Sequence, residues 1–234
     1  LNPENVISFS SQTAAILAIL RTNLSNGKNT QIVYTEALPD AFDTETLKQV
    51  YGYNFELKQV ENTATITKFD GSTIYISQQK ELWTVEQSSN IDFYVQTNPA
   101  LGSVLLVNGH QNKGYISDIQ HVRRRETIAM TPVNCLKTLS VLTNTSSPTA
   151  HTILETNKTQ VLEAISAITH SPTKPLVGSS GLSIQYAIMM GLIHDAQENH
   201  PKKDIKFIVP PNCYGGTNDQ ARRVAACIKN VEVV

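Results

Sequence analysis

The chain has 234 residues, enough for one large domain or two small ones. Apolar residues make up 40% and charged residues 17%, so it can bury a core and does not have the composition of a disordered chain. The formal net charge of −1 disfavours a protein that neutralises many phosphates, so nucleic-acid binding is not expected. No apolar run approaches the ~18 residues of a membrane span. The N-terminal "LNPENVISFSS" lacks the basic-then-apolar pattern of a secretion signal. Cys135, Cys213 and Cys227 are odd in number and unpaired in spacing, which argues against a disulfide framework and for a reducing, cytoplasmic compartment.

In chain order, "NVISFS" reads as a short strand, and "SQTAAILAILRTNL" spaces Ala15, Ile16, Ile19 and Leu20 as a helix does. "TQIVYTE" is a strand. "DTETLKQVYG" is a helix capped by Asp43 or Thr44 and ended by Gly52, and "NFELKQV" is extended. Helix and strand alternate over Ser8 to Val60, as in layered α/β folds. "TATITKFDGSTIYISQ" alternates apolar and polar residues around Asp70-Gly71, a hairpin signal that predicts antiparallel strands. "IDFYVQ" and "GSVLLVNGH" are further strands, and "VNGHQNKG" is a turn after the second. "HVRRRE", His121 to Glu126, is a basic cluster that could bind phosphate or RNA, but it is isolated, has no nearby aromatic platform and reads as a solvated face. "PVNCLKTLSVL" is a short helix, "TNTSSPTAH" a connection, "ILETNKTQVLEAISAITH" an amphipathic helix and "SPTKPLVGSSG" a loop. A domain boundary is therefore expected between Thr143 and His151, dividing the chain into 1–146 and 147–234. Leu182 to Ala196 is apolar nearly all round and reads as a buried helix. "DIKFIVP" is a strand, "NDQARRVAACIKN" a helix and "VEVV" the start of another strand. A parallel strand at that position is normally followed by more structure, so the pattern leads us to expect a piece of a longer protein. The opening Ser-Ser-helix-strand-loop-helix-strand rhythm echoes the closing one, as any two α/β stretches do.

Two short segments could carry chemistry. "GSSG", Gly178 to Gly181, opens the apolar helix. The first turn of a helix leaves N–H groups unpaired, and these with the helix dipole favour an anion such as phosphate. The alternative is a serine N-cap with no ligand. "VPPNCYGGTND" follows a strand and precedes a helix, the place where ligand crevices form in open α/β sheets. Tyr214 before Gly215-Gly216 is suited to lie against a planar ring; the alternative is a surface loop. The six histidines show no metal-ligand spacing, so no metal site is expected.

Taken together, "SSGLSIQYAIMMGL" and "IKFIVPPNCYGGTNDQARRVAACIKNVEVV" resemble the cysteine/methionine-metabolism family of pyridoxal-phosphate enzymes, over residues 165–234. That family includes cystathionine synthases, cystathionine lyases and homoserine sulfhydrylases. The resemblance implies that 147–234 begins a fold-type-I pyridoxal-phosphate transferase large domain, preceded by an α/β segment with antiparallel strands and unknown role. It implies pyridoxal 5'-phosphate as cofactor, with Gly181 and Leu182 giving backbone N–H groups to its phosphate, Ser180 beside them and Tyr214 stacking on the ring. Leu182 stands where the family has methionine. It also implies eliminations or replacements on cysteine- or homoserine-type substrates, and a homo-oligomer binding small amino acids. The family's lysine that holds the cofactor, its ring-pairing aspartate and its carboxylate-binding arginine lie downstream of the Tyr-Gly-Gly-Thr loop and find no counterpart here, so the chain alone is expected to be inactive. "SPTK" at Ser171 to Lys174 matches the lysine motif but precedes the phosphate turn, and reads as a coincidence. A binding or assembly module, or another phosphate-ligand enzyme, remains open.

Overall fold

The computed structural model of the chain describes residues 2–78, 87–143, 145 and 154–234. The predicted connection "TNTSSPTAH", and with it the expected boundary near 146, lies largely outside the described residues. The elements run β1 (Val6–Phe9), α1 (Ala14–Ser25), β2 (Thr30–Tyr34), α2 (Thr44–Gln49), β3 (Glu56–Gln59), β4 (Ser72–Ser77), β5 (Phe93–Asn98) and β6 (Gly102–Val107). They continue with α3 (Tyr115–Glu126), α4 (Pro132–Leu142), α5 (Leu154–Thr169), α6 (Gly181–Asn199), β7 (Ile205–Phe207), α7 (Gly215–Cys227) and β8 (Val231–Val233).

Six strands form one mixed sheet in the order β1-β6-β5-β4-β2-β3. β3, β2, β4 and β5 are mutually parallel, and β6 runs antiparallel between β5 and β1. Alternation along the strands builds two cores. Ile32, Ile74, Ile76, Phe93, Val95 and Leu105 meet Ile16 and Ile19 of α1 and Ile119 and Val122 of α3 on one face. Val33, Tyr75, Tyr94 and Leu106 face the other way, against Ile66 and Ile91.

The hairpin expected at Asp70-Gly71 does not form. The residues before it are a short 3-10 turn, Thr63–Thr65, and irregular chain, while β4 pairs in parallel with β2 from Thr30↔Ser72 onward. β4 is buried along its whole length and lies inside the sheet. Gly71 has φ +156°, and a Cβ there would stand 2.4 Å from the carbonyl oxygen of Asn29, the group that accepts from Ser72 N–H. The glycine thus serves a close approach of two parallel strands, and the antiparallel part of the sheet comes from β6.

β7 and β8 form a separate parallel pair beside α6 and α7. α6 was expected to be buried all round. It buries Tyr186, Met189, Met190 and Ile193, a single stripe at i, i+3, i+4 and i+7, against Ala221 and Val224 of α7 and Val50 beyond α2. Ile188 and Leu192 on its other side remain about half exposed, at 50% and 53%, because only one face meets a packing layer. α6 and α7 both contact α3, and α7 also contacts α1. α1 is consequently covered on two sides, which explains why Arg21, Thr22 and Asn23 are buried beyond its predicted apolar stripe. Among the described residues, no helix is long and apolar enough to cross a membrane.

Candidate functional site

The first turn of α6 is built by a reciprocal cap. Ser180, extended at φ −158° and ψ 166°, accepts from Ser183 N–H through its Oγ at 3.1 Å. Ser183 Oγ in turn accepts from Ser180 N–H at 2.8 Å. This satisfies the N3 donor of the helix and leaves the N1 and N2 donors, the N–H groups of Gly181 and Leu182, without an acceptor among the described residues. The Ser180 hydroxyl accepts in the cap, so its own proton is also available. Gly181 is exposed, and a Cβ on it would meet nothing within 4 Å. The Ser179 hydroxyl donates to Ser183 Oγ at 3.0 Å and so serves the cap.

Tyr214 is the N-cap residue of α7 and is 69% exposed. Its ring lies over Gly216, where an added Cβ would sit 2.5 Å from Tyr214 Cε1 and 3.1 Å from Leu182 Cδ1. Gly216 therefore permits ring, loop and α6 side chain to approach. Thr217 Oγ1 donates to Gln185 Oε1 at 3.0 Å and ties the same loop to α6.

These two starts of helices share a cleft of about 610 Å³, lined among others by Ser180, Gly181, Leu182, Tyr214, Arg123 and Arg124. All four sequence-predicted site residues are together. The two arginines come from the cluster read as a solvated face. They sit in the last turn of α3, a helix that went unassigned, although Tyr115, Ile119, Val122 and Glu126 mark it at i, i+4, i+7 and i+11. Cations suit a helix C-terminus. Arg123 donates to the Ser8 carbonyl at 3.3 Å, and Arg125 donates to Asp219 at 3.1 Å. Arg124 is exposed and, among the described residues, has no polar partner. Asp219 also lies 2.7 Å from His121 Nε2 and 3.7 Å from Arg223. Burial pushes the Asp219 carboxyl up, but hydrogen bonds from His121 and Arg125 with the neighbouring positive charges outweigh it and hold it below its ordinary value.

Lys174 of "SPTK" lines a different groove with Lys158, Val161 and Leu176. No lysine lines the cleft among the described residues. His194 stands 3.3 Å from Glu198 on α6, and no group of three potential metal ligands occurs among the described residues. His151 lies outside them. All three cysteines are free.

No protein-family model and no curated protein matches the sequence. Among solved structures, a Listeria monocytogenes protein described as an L-allo-threonine aldolase aligns with TM-score 0.32 and 12% identity. The alignment covers 51% of this chain and 47% of that one, so the chain spans about half of its length. A likeness this low assigns neither fold family nor activity to the chain.

Proposed function

We propose that the cleft binds a phosphorylated planar ligand, pyridoxal 5'-phosphate, and that the chain is part of an enzyme acting on cysteine- or homoserine-type amino acids. One observation carries the ligand reading: unpaired anion donors from two helices, the Gly181 and Leu182 N–H groups and the Arg124 guanidinium, share a cleft with the open ring of Tyr214. The sulfur amino-acid chemistry rests on the sequence resemblance of residues 165–234. The residues fit the phosphate and ring ends of the cofactor. Gly181 N–H, Leu182 N–H, Ser180 O–H and Arg124 would hold the phosphate, and Tyr214 would cover one ring face. When bound, the cofactor supplies an electron sink for carbanion chemistry. The Ser180–Ser183 cap keeps the phosphate donors fixed, and the Thr217–Gln185 bond keeps the ring platform against α6. Among the described residues no lysine lines the cleft, so this wall would hold the cofactor by its phosphate and ring.

Calorimetric titration tests the reading. Pyridoxal 5'-phosphate binds, inorganic phosphate competes, and unphosphorylated pyridoxal binds roughly tenfold or more weakly, as expected when charge-assisted hydrogen bonds of about 1.5–3 kcal/mol are lost. Arg124→Ala and Gly181→Val each weaken binding. Equal affinity for pyridoxal and its phosphate would sink the assignment. Competition by inorganic phosphate without any affinity for the pyridoxal ring would move the site to another class of phosphorylated ligand.

A further inference from the structure

We propose that Gln220 is the positioning residue of this cleft, holding its two anion-binding walls at a fixed separation. The inference rests on the phosphate reading of the cleft given above. Gln220 lies on α7, one turn beyond Gly216 and Thr217, and is fully buried. Its Nε2 donates to the Arg125 carbonyl at 2.6 Å and to the Leu182 carbonyl at 2.8 Å. Both partners can only accept, so the amide orientation is fixed by chemistry. Arg125 follows Arg124 directly, and its carbonyl is one of the last-turn carbonyls of α3 that have no partner within the helix. Leu182 is the second residue of α6 and carries one of the two free N–H donors. One carboxamide therefore joins the backbone beside the free guanidinium to the backbone beside the free N–H groups.

Few side chains can do this. The task needs two donors on one nitrogen, no charge in a dry interior, and a reach of three side-chain carbons. Asparagine is one carbon short, and lysine or arginine would bury a charge. The arrangement leaves Gln220 Oε1 buried without a hydrogen-bond partner among the described residues. The side chain is thus kept in place although only its donor end is satisfied. Asp219 provides a second link between α7 and α3, through His121 and Arg125, but it does not reach α6. Arg21 also bridges α3 and α6, through the side chains of Glu126 and Tyr186, but among the described residues only Gln220 hydrogen-bonds both to the backbone beside Arg124 and to the backbone beside the free N–H groups.

The test compares Gln220→Met, which keeps the length and removes both donors, with Gln220→Asn, which keeps the amide and shortens its reach. Val224→Ala is the control: Val224 is buried one turn further along α7 and is not among the residues that line the cleft. Thermal midpoints and affinities for inorganic phosphate and pyridoxal 5'-phosphate are measured for each. The positioning role predicts that Gln220→Met and Gln220→Asn weaken both ligands about tenfold or more, like the loss of one charge-assisted hydrogen bond. Val224→Ala lowers the midpoint and leaves both affinities unchanged. If Gln220→Met does not fold, Gln220→Asn carries the comparison alone. Wild-type protein that binds while the folded Gln220 variants keep its affinity overturns the positioning role and leaves the cleft reading standing. Wild-type protein that binds neither ligand overturns the cleft reading itself, and Gln220's role with it.

Discussion

Arg21 and Glu126 form an ion pair deep between α1 and α3, with side chains 7% and 6% exposed. Arg21 Nη2 also donates to Tyr186 Oη at 3.0 Å, while its Nε has no partner among the described residues. Burial alone would lower the Arg21 pKa, but Tyr53, Tyr186 and Glu126 around it hold it above its usual value. Burial raises the Glu126 carboxyl, and Arg21 opposes that shift. A buried pair is hard to break and cheap to replace. Removing one partner strands the other charge at about 3–5 kcal/mol, whereas an apolar pair of similar volume is neutral or better. Arg21→Met should therefore destabilise the chain by about 3–5 kcal/mol, or roughly 6–20 °C in thermal midpoint for a protein of this size. The double variant Arg21→Met with Glu126→Leu should return to within about 1 kcal/mol of the wild type, helped by removal of the orphan Nε. Urea unfolding followed by circular dichroism, at neutral pH, gives the double-mutant cycle. A near-neutral Arg21→Met, or a double variant no more stable than the single, would refute the claim of a dry, charged pair.

Three further outcomes follow from particular contacts. Asp219 has a lowered carboxyl pKa, so its contribution to stability is fully present above the ordinary aspartate range and is lost as pH falls through the lowered value; Asp219→Asn should flatten that part of the acid limb in urea unfolding. Glu126 is the opposite case: its raised pKa gives a contribution present below the ordinary glutamate range and lost as pH rises through the folded value, so its replacement in the double variant should raise relative stability towards neutral pH. Gly216→Ala should separate fold from ligand, since alanine favours the first turn of α7 by up to about 1 kcal/mol while its Cβ displaces the Tyr214 ring, leaving the thermal midpoint unchanged or higher and pyridoxal 5'-phosphate affinity about two- to tenfold lower.

The periodic parts of the fold were legible because burial and period agree there. β1, β2, β5, β6, α1 and α2 fall where the sequence placed them, and Asp43 caps α2 by accepting from Glu45 and Thr46 N–H. The hairpin at Asp70-Gly71 failed because a local turn signal competes with non-local strand pairing. Nothing within residues 63–77 reports that β2 lies waiting for a parallel partner. α3 was missed because its apolar stripe is sparse and its last turn is all charge, which from sequence looks like surface. The omission hid part of the cleft, since Arg123 and Arg124 line it. The four residues singled out for the cofactor were readable as two separate helix starts, and their convergence was not. The two starts are joined by Gln220 and Thr217, polar residues of α7 whose α6 partners are 38 and 32 positions away.

A serine cap and an anion seat at the start of α6 were set against each other as rival explanations of Gly178 to Gly181. The geometry makes them compatible. A helix start has four free donors, and the Ser180–Ser183 box occupies the one at N3 together with the N–H of the cap residue itself. The donors at N1 and N2 point past the cap, where Gly181 offers no side chain to cover them. A cap residue with no second role could be followed by any good helix former. Glycine at N1 sacrifices up to about 1 kcal/mol of helix propensity relative to alanine, the full value applying to helix interiors, and its φ lies outside the left-handed region that would require it. An open N1 position beside an unpaired arginine and an exposed tyrosine ring is what a backbone contact to an anionic, planar ligand needs. Gly181→Ala therefore distinguishes the two roles on one residue: stability rises if the position serves only the helix, and phosphate affinity falls with it if the N–H groups serve a ligand.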